Sequence, residues 1–275
     1  MRCSEIYETA ELADRIYKTS MKMALEAGNS GSHIGGSLSC VEIFAVLYND
    51  VMKYDVENPL WEERDRFIAS KAHCILSHFA TLSLVGYFPE SELDSFHAND
   101  GLLCGHPYNP RIGLEFSGGS LGMGISVGVG MALVAKKEKK SHSVYVLIGD
   151  GEANEGSVWE AFMSTAQFKL DNYTVIIDYN NMQFDDRNEK VMSLTPIGEK
   201  MKAFGFTVAE VNGHDVNELR KAFSLPFNGR PKAIIAHTIK ARGVDRIENK
   251  SESHQIAINE EDYEGAIRWR NVHNG

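Results

Sequence analysis

Cysteine is scarce: Cys3, Cys40, Cys74 and Cys104 are the four thiols in 275 residues. None forms a C-x-x-C pair, and their wide spacing fits neither a zinc ribbon nor a disulfide framework. Scattered free thiols point to a reducing, cytoplasmic setting. No uninterrupted apolar run reaches the length of a membrane span, so none is expected. The opening residues MRCSEIYETAELADRI are charged and lack an apolar core, so no secretory signal is read there. No Pro- or Ser-rich linker and no internal repeat divides the chain, so one domain over 1–275 is expected. Basic residues are outnumbered, 28 Lys and Arg against 38 Asp and Glu, for a net charge of −10. That balance argues against non-specific nucleic-acid binding.

What is present is a sequence of α/β character. Residues 4–27 have helical spacing through Ile6, Ala10, Ala13, Ile16 and Tyr17, with Gly28 as the stop. The loop NSGSHIGGS (29–37) follows, then a second helical stretch over 38–53. RDRFIASKAH (64–73) reads as a short strand feeding a loop, before a helix from 75 to 87. Residues 97–124 are glycine-rich and aperiodic, and a loop of that length inside a domain is usually functional. A small-residue helix over 122–137 ends in the charged run KKEKK. Four further apolar strands are expected at 143–150, 174–180, 206–212 and 232–239. Helices are expected within 151–170 and over 214–224. Strand–helix–strand units of this length predict a three-layer α/β/α fold with a mostly parallel sheet.

Ligands of an open parallel sheet bind beyond the carboxyl ends of its strands. Asp150 ends one apolar strand and Asn180 ends the next, thirty residues on. A carboxylate with an amide oxygen suits Mg²⁺ or Ca²⁺, but two ligands leave phosphate, carbonyl or water oxygens to complete the shell. Gly149 and Gly151 flank Asp150 and allow the backbone to approach a phosphate ahead of a helix N-terminus. On its own, G-D-G is also a common turn. Four histidines, His33, His73, His106 and His254, fall in separate expected loops, where imidazoles suit proton relay at neutral pH. His78, His97, His142, His214, His237 and His273 have no such setting and are read as structural. Glu155 and Glu160 follow the GDG turn, five residues apart and so not on one helical face.

Together these segments resemble the transketolase family, specifically the amino-terminal part of split bacterial transketolases. GDGEANEGSVWEA with DYNNMQFD is similar to the family's thiamine diphosphate motif. SGSHIGGSLSCVEIFAVLY, RDRFIASKAHC, GHPYNP and SGGSLGMGISVGVGMAL stand in the family's order. The resemblance implies the diphosphate-binding domain of the thiamine diphosphate-binding fold. Asp150, Asn180 and the Met182 carbonyl would hold Mg²⁺ or Ca²⁺. Gly149, Gly151, His73 and His254 would line the diphosphate, and the backbone at Ser120 and Leu121 the aminopyrimidine. His33 and His106 would face the sugar, and Glu155 and Glu160 would link two cofactor sites across a dimer. The sequence departs from the family in Ala72 before His73, Asn181 after Asn180, and YNPRIGLEF after Gly-His-Pro. The family's pyrimidine-binding and carboxy-terminal domains are not expected within this chain. The resemblance therefore implies a partner subunit carrying the pyrimidine domain, two copies of each chain in a heterotetramer, and a sugar or sugar-phosphate substrate. Two alternatives stand beside it. One is another thiamine diphosphate enzyme, similar to 1-deoxyxylulose-5-phosphate synthase or a 2-oxoacid dehydrogenase. The other is a non-catalytic, cofactor-binding regulatory subunit.

Overall fold

Continuous burial along the apolar runs of β2 and β3 marks a sheet that is covered on both faces. The computed structural model describes residues 7–96, 98, 101–103 and 105–273. Cys3, Cys104 and His97 lie outside them. Five strands form one sheet: β1 Arg66–Ala69, β2 Val144–Gly149, β3 Tyr173–Tyr179, β4 Thr207–Asn212 and β5 Lys232–His237. Their order is β1-β2-β3-β5-β4 and every pairing is parallel. All five carboxyl ends therefore open on one edge.

The helices are α1 Thr9–Glu26, α2 Ile34–Leu38, α3 Val41–Val46, α4 Ile75–Leu84 and α5 Met123–Lys137. They continue as α6 Gly156–Gln167, α7 Asn188–Val191, α8 Ile197–Ala203, α9 Val216–Ser224 and α10 Glu260–Val272. Along β2, Tyr145 and Leu147 join a core shared with α1, α3, α4, α9 and α10. Val144, Val146 and Ile148 face the opposite core, shared with α5, α6 and α8. This is the three-layer architecture expected of parallel strands buried on both sides. On the second face α5 comes very close to the sheet. A Cβ on Gly128 would meet Val146 Cγ2 at 2.5 Å, so the small-residue composition of α5 follows from its packing.

Several elements differ from the sequence-based expectation. The single helix expected over 38–53 is two short helices and a π-turn over Leu47–Val51, and α2 begins inside the expected loop at Ile34. Ala10 is exposed; Leu12, Ala13, Ile16 and Tyr17 carry the buried stripe of α1. Helix α10, capped by a reciprocal Asn259–Asp262 box, has no counterpart among the expected elements. It is held by charge as well as by apolar contact. Arg270 Nη1 donates to Glu42 Oε1 at 2.7 Å, and His214 Nδ1 meets Glu42 Oε2 at 2.9 Å, all three side chains buried. His214 Nε2 accepts from the Ile239 amide at 2.9 Å, so Nδ1 carries the proton.

Burial alone would raise Glu42, but His214 and then Arg270 hold it at about 2, below its ordinary 4.5. Replacing Arg270 by Met leaves that carboxylate under-compensated, and unfolding in urea at pH 7 is expected to show a loss of ~3 kcal/mol. A depressed carboxylate contributes stability that is present above about 4.5 and lost as pH falls toward 2. The gap between wild type and variant should therefore close on acidification. A constant gap would contradict the role given to Glu42.

Candidate active site

Strand register brings the two expected metal ligands together. Gly149 pairs with Asp178 between β2 and β3, which sets Asp150 beside the chain leaving β3 at Asn180. Asp150 is buried and accepts from the backbone amides of Gly151 at 2.8 Å and Asn181 at 2.5 Å, and from Asn188 Nδ2 at 2.9 Å. Burial, then the nearby charge of Asp178, pushes the bare Asp150 carboxyl up to about 7. Asn180 Oδ1 accepts from the Met182 amide at 3.1 Å. Asn181 has a left-handed φ of 58°, and Asn180, not Asn181, lines the cleft with Asp150.

A cavity of about 210 Å³ opens above this pair. Gly149, Asp150, Gly151, Asn180, Met182 and Leu121 line it, with His73 and His254 on one wall and Glu155 at its margin. His33 stands just behind that wall. The ring centroids of His33 and His254 are 5.3 Å apart, those of His73 and His254 5.0 Å, and those of His33 and His73 6.4 Å. Burial, then the positive charge of Lys71, holds His73 well below its ordinary value. Burial, then Lys240, brings His254 down to about 4. Both imidazoles are thus neutral at pH 7, each with one nitrogen to donate and one to accept. The approach of α2 is equally tight. A Cβ on Gly36 would fall 2.5 Å from His73 Cδ2. Gly36→Ala is therefore expected to displace His73 and weaken thiamine diphosphate binding about tenfold by calorimetry, with the melting temperature little changed. Unaltered binding would show that the His73 position is immaterial.

The other expected site residues lie apart from this cluster. His106 lies against the Gly118–Gly119 loop, accepts from Ser117 Oγ through its carbonyl at 2.6 Å, and lines a separate small cavity with Ala72 and Gly118. Ser120 is exposed beside Leu121. Glu160 is exposed on α6, away from the cleft, and Glu155 is also exposed. His78 and His214 are buried and His237 and His273 are exposed, as suits structural or surface histidines.

Three charged residues of the cleft stand outside the set expected from sequence. Lys240 follows β5, is buried, and donates to the Gln183 carbonyl at 2.9 Å. Burial, then the like charge of Lys71, lowers it to about 8. Lys71 follows β1 and pairs with Asp178 in the floor. Glu152, also buried, accepts from Ser70 Oγ, from the Gly122 amide at 2.9 Å and from the Gly149 amide at 3.2 Å. It thereby ties the GDG turn to the loops preceding α4 and α5. The signal for both lysines is the one that picks out Asp150, a position just past the carboxyl end of a strand.

The donor set fits a divalent cation with a diphosphate. Oxygen donors flank Asp150, and no group of three or more His, Cys, Asp or Glu among the described residues could hold a metal alone. Phosphate oxygens would complete such a shell. Lys240, two imidazoles and the Gln183 Nε2 group, which is buried with no partner, offer donors to the same anion.

The fold and site define a parallel α/β domain with a Gly-Asp-Gly turn and an asparagine on adjoining strand ends. A family model described as "Transketolase, thiamine diphosphate binding domain" matches residues 10–270, and the chain belongs to that family. It is 38% identical over 263 residues to one of the subunits of the apulose-4-phosphate transketolase from Phocaeicola vulgatus, covering 95% of this chain and 93% of that one. It is 39% identical over 246 residues to the 6-deoxy-6-sulfo-D-fructose transketolase subunit SqwG of a Clostridium species, covering 88% and 90%. Among solved structures, transketolase from Campylobacter jejuni superimposes with a TM-score of 0.89 at 29% identity. That match covers 96% of this chain and 42% of the other, so the chain spans about two fifths of a full-length transketolase. These matches do not favour the alternative thiamine diphosphate enzymes or the regulatory role. The chain has the fold and family of a thiamine diphosphate-dependent transketolase-type transferase.

Proposed function

We propose that this chain is the amino-terminal subunit of a two-component transketolase. It transfers a two-carbon ketol unit from a ketose or ketose phosphate to an aldose or aldose phosphate. The observation that carries the reading is that Asp150 and Asn180 line one cleft beside the His33–His73–His254 cluster. It occurs in a chain that matches individual transketolase subunits nearly end to end and full-length transketolases only in part.

Asp150, Asn180 and the Met182 carbonyl would hold Mg²⁺, or Ca²⁺ in its place, against the diphosphate. His73, His254, Lys240 and the amide of Gly151, which line the cleft, would donate to phosphate oxygens. When bound, thiamine diphosphate supplies the carbon nucleophile and carries the two-carbon unit between donor and acceptor. His33, which joins His73 and His254 in the cluster, would take and return the sugar hydroxyl proton. His106 would contact the sugar from the Gly118–Gly119 side. The backbone at Ser120 and Leu121 would receive the aminopyrimidine, with Glu152 fixing that loop through Gly122. Glu155 and Glu160, both exposed here, would face a second cofactor site across the assembly. A partner subunit carrying a pyrimidine-binding domain completes the site in a heterotetramer of two chains of each kind, in the cytoplasm. No helix of the described residues is long and apolar enough to cross a membrane.

The relatives' names specify two different uncommon ketoses, so the substrate here is sought among modified ketoses and their phosphates. The test is a donor panel on the two-chain enzyme, with ketose phosphates, unphosphorylated ketoses and pyruvate. Two-carbon transfer from a ketose to an aldehyde acceptor is expected. Turnover of pyruvate with none of the ketoses would replace this reading with a 2-oxoacid chemistry.

A further inference from the structure

An asparagine can serve a cation only with its amide oxygen turned toward it, and the amide's shape does not decide which end points where. Half a turn about the last side-chain bond exchanges oxygen for NH₂. Some neighbour of Asn180 must make that choice before any cation arrives. In this fold the neighbour is Asp178, two residues earlier, near the carboxyl end of β3. Asn180 Nδ2 donates to Asp178 Oδ2 at 3.1 Å, and its Oδ1 is left on the side of the Met182 amide and the cleft. An ionised carboxylate can only accept, so it admits the NH₂ end and rejects the oxygen.

Asp178 is fully buried and would cost a great deal as a lone charge. Lys71, equally buried, pairs with it and also donates to the Gly36 carbonyl at 3.0 Å. Ser39 Oγ donates to Asp178 Oδ2 at 2.7 Å and Thr238 Oγ1 donates to Oδ1. The Lys71 ammonium and these two hydroxyl donors compensate the buried carboxylate. A buried ion pair contributes little net stability compared with well-packed apolar residues. Stability alone is thus a weak reason for these two side chains to be here. The carboxylate is committed to Lys71, Ser39, Thr238 and Asn180, and of these four it is Asn180 that flanks Asp150 at the cleft.

We propose that the Lys71–Asp178 pair is the orienting device of the cation site, with Asp178 a positioning residue that pins the Asn180 amide oxygen toward the cation beside Asp150. The proposal rests on the reading of the cleft as a metal–diphosphate site.

The test compares Lys71→Met/Asp178→Leu with Lys71→Met/Asp178→Asn, in the full chain with its partner present. Both double variants remove the ion pair, but only the second leaves an oxygen at position 178 to accept from Asn180. Mn²⁺ binding in the presence of thiamine diphosphate is followed by electron paramagnetic resonance, alongside the melting temperature. The leucine variant is expected to weaken Mn²⁺ by about 10- to 100-fold, the range for losing a residue that orients a metal ligand. The asparagine variant is expected to recover most of that loss at a similar melting temperature. Wild-type Mn²⁺ affinity in the leucine variant, or equal loss in both, overturns the proposal. Should the variants not fold, side-chain amide exchange in the wild-type chain decides. Slow exchange of the Asn180 NH₂ protons is expected, and fast exchange overturns the orientation. Absence of Mn²⁺ binding by wild type would count against the metal–diphosphate reading, while the exchange experiment would still report on the amide.

Discussion

Asp150→Ala is expected to lower ketol transfer by the two-chain enzyme about 10³-fold, because a metal ligand stabilises charge worth several kcal/mol at the reacting centre. The residue sits at the one point where a strand end, a glycine turn and a neighbouring asparagine meet. Glu152 is committed inward to Ser70, Gly122 and Gly149, so it cannot take over without breaking those contacts. The check is a steady-state assay across a Mg²⁺ titration. Loss of turnover that excess Mg²⁺ partly restores fits a weakened site. Unchanged turnover at limiting Mg²⁺ would remove Asp150 from the metal's coordination.

The histidine cluster gives the second large effect, and it divides by position. His73 lines the cleft floor beside Gly36 and Gly149, while His33 reaches the cluster from the residue preceding α2. His33→Ala is therefore expected to reduce kcat by about 10²–10⁴-fold, the usual worth of a proton-transferring side chain, with thiamine diphosphate affinity nearly unchanged. His73→Ala is expected to raise the concentration of thiamine diphosphate needed for half-saturation, because its proposed contact is with the cofactor. Measuring kcat and cofactor half-saturation separately distinguishes them. The reverse pattern would exchange the two roles.

The Asp150–Asn180 pairing is legible in the sequence because it depends on local signals: apolar strands that end in hydrogen-bonding residues, separated by one crossover. The same rule applied to every strand end picks out Lys71 and Lys240, two residues past Ala69 and three past His237. Lysines in polar loops look like solvated surface, and only the fold shows that both are buried. The meeting of His33, His73 and His254 is not legible as geometry. Their chain positions are far apart, and the Ser32–Ile256 bridge that brings the last of them in is a long-range backbone contact. Helix α10 escapes a periodicity reading for a physical reason too. Its buried face includes Asp262 and Arg270, so the apolar stripe that marks a helix is interrupted by the charges that dock it. The break of the expected helix over 38–53 has a similar origin. Between α2 and α3, Ser39 Oγ donates to Asp178 on β3, a tertiary contact that local propensity does not report.

In the proposed function this chain would contribute the metal and diphosphate side of a shared active site, on a domain whose sheet has an apolar core on each face. The most direct measurement is ketol transfer from a ketose donor to an aldehyde acceptor while this chain, with thiamine diphosphate and Mg²⁺, is titrated with the purified pyrimidine-domain partner. Turnover is expected to start at background and to saturate at one partner per chain. Full turnover by this chain alone would contradict the account.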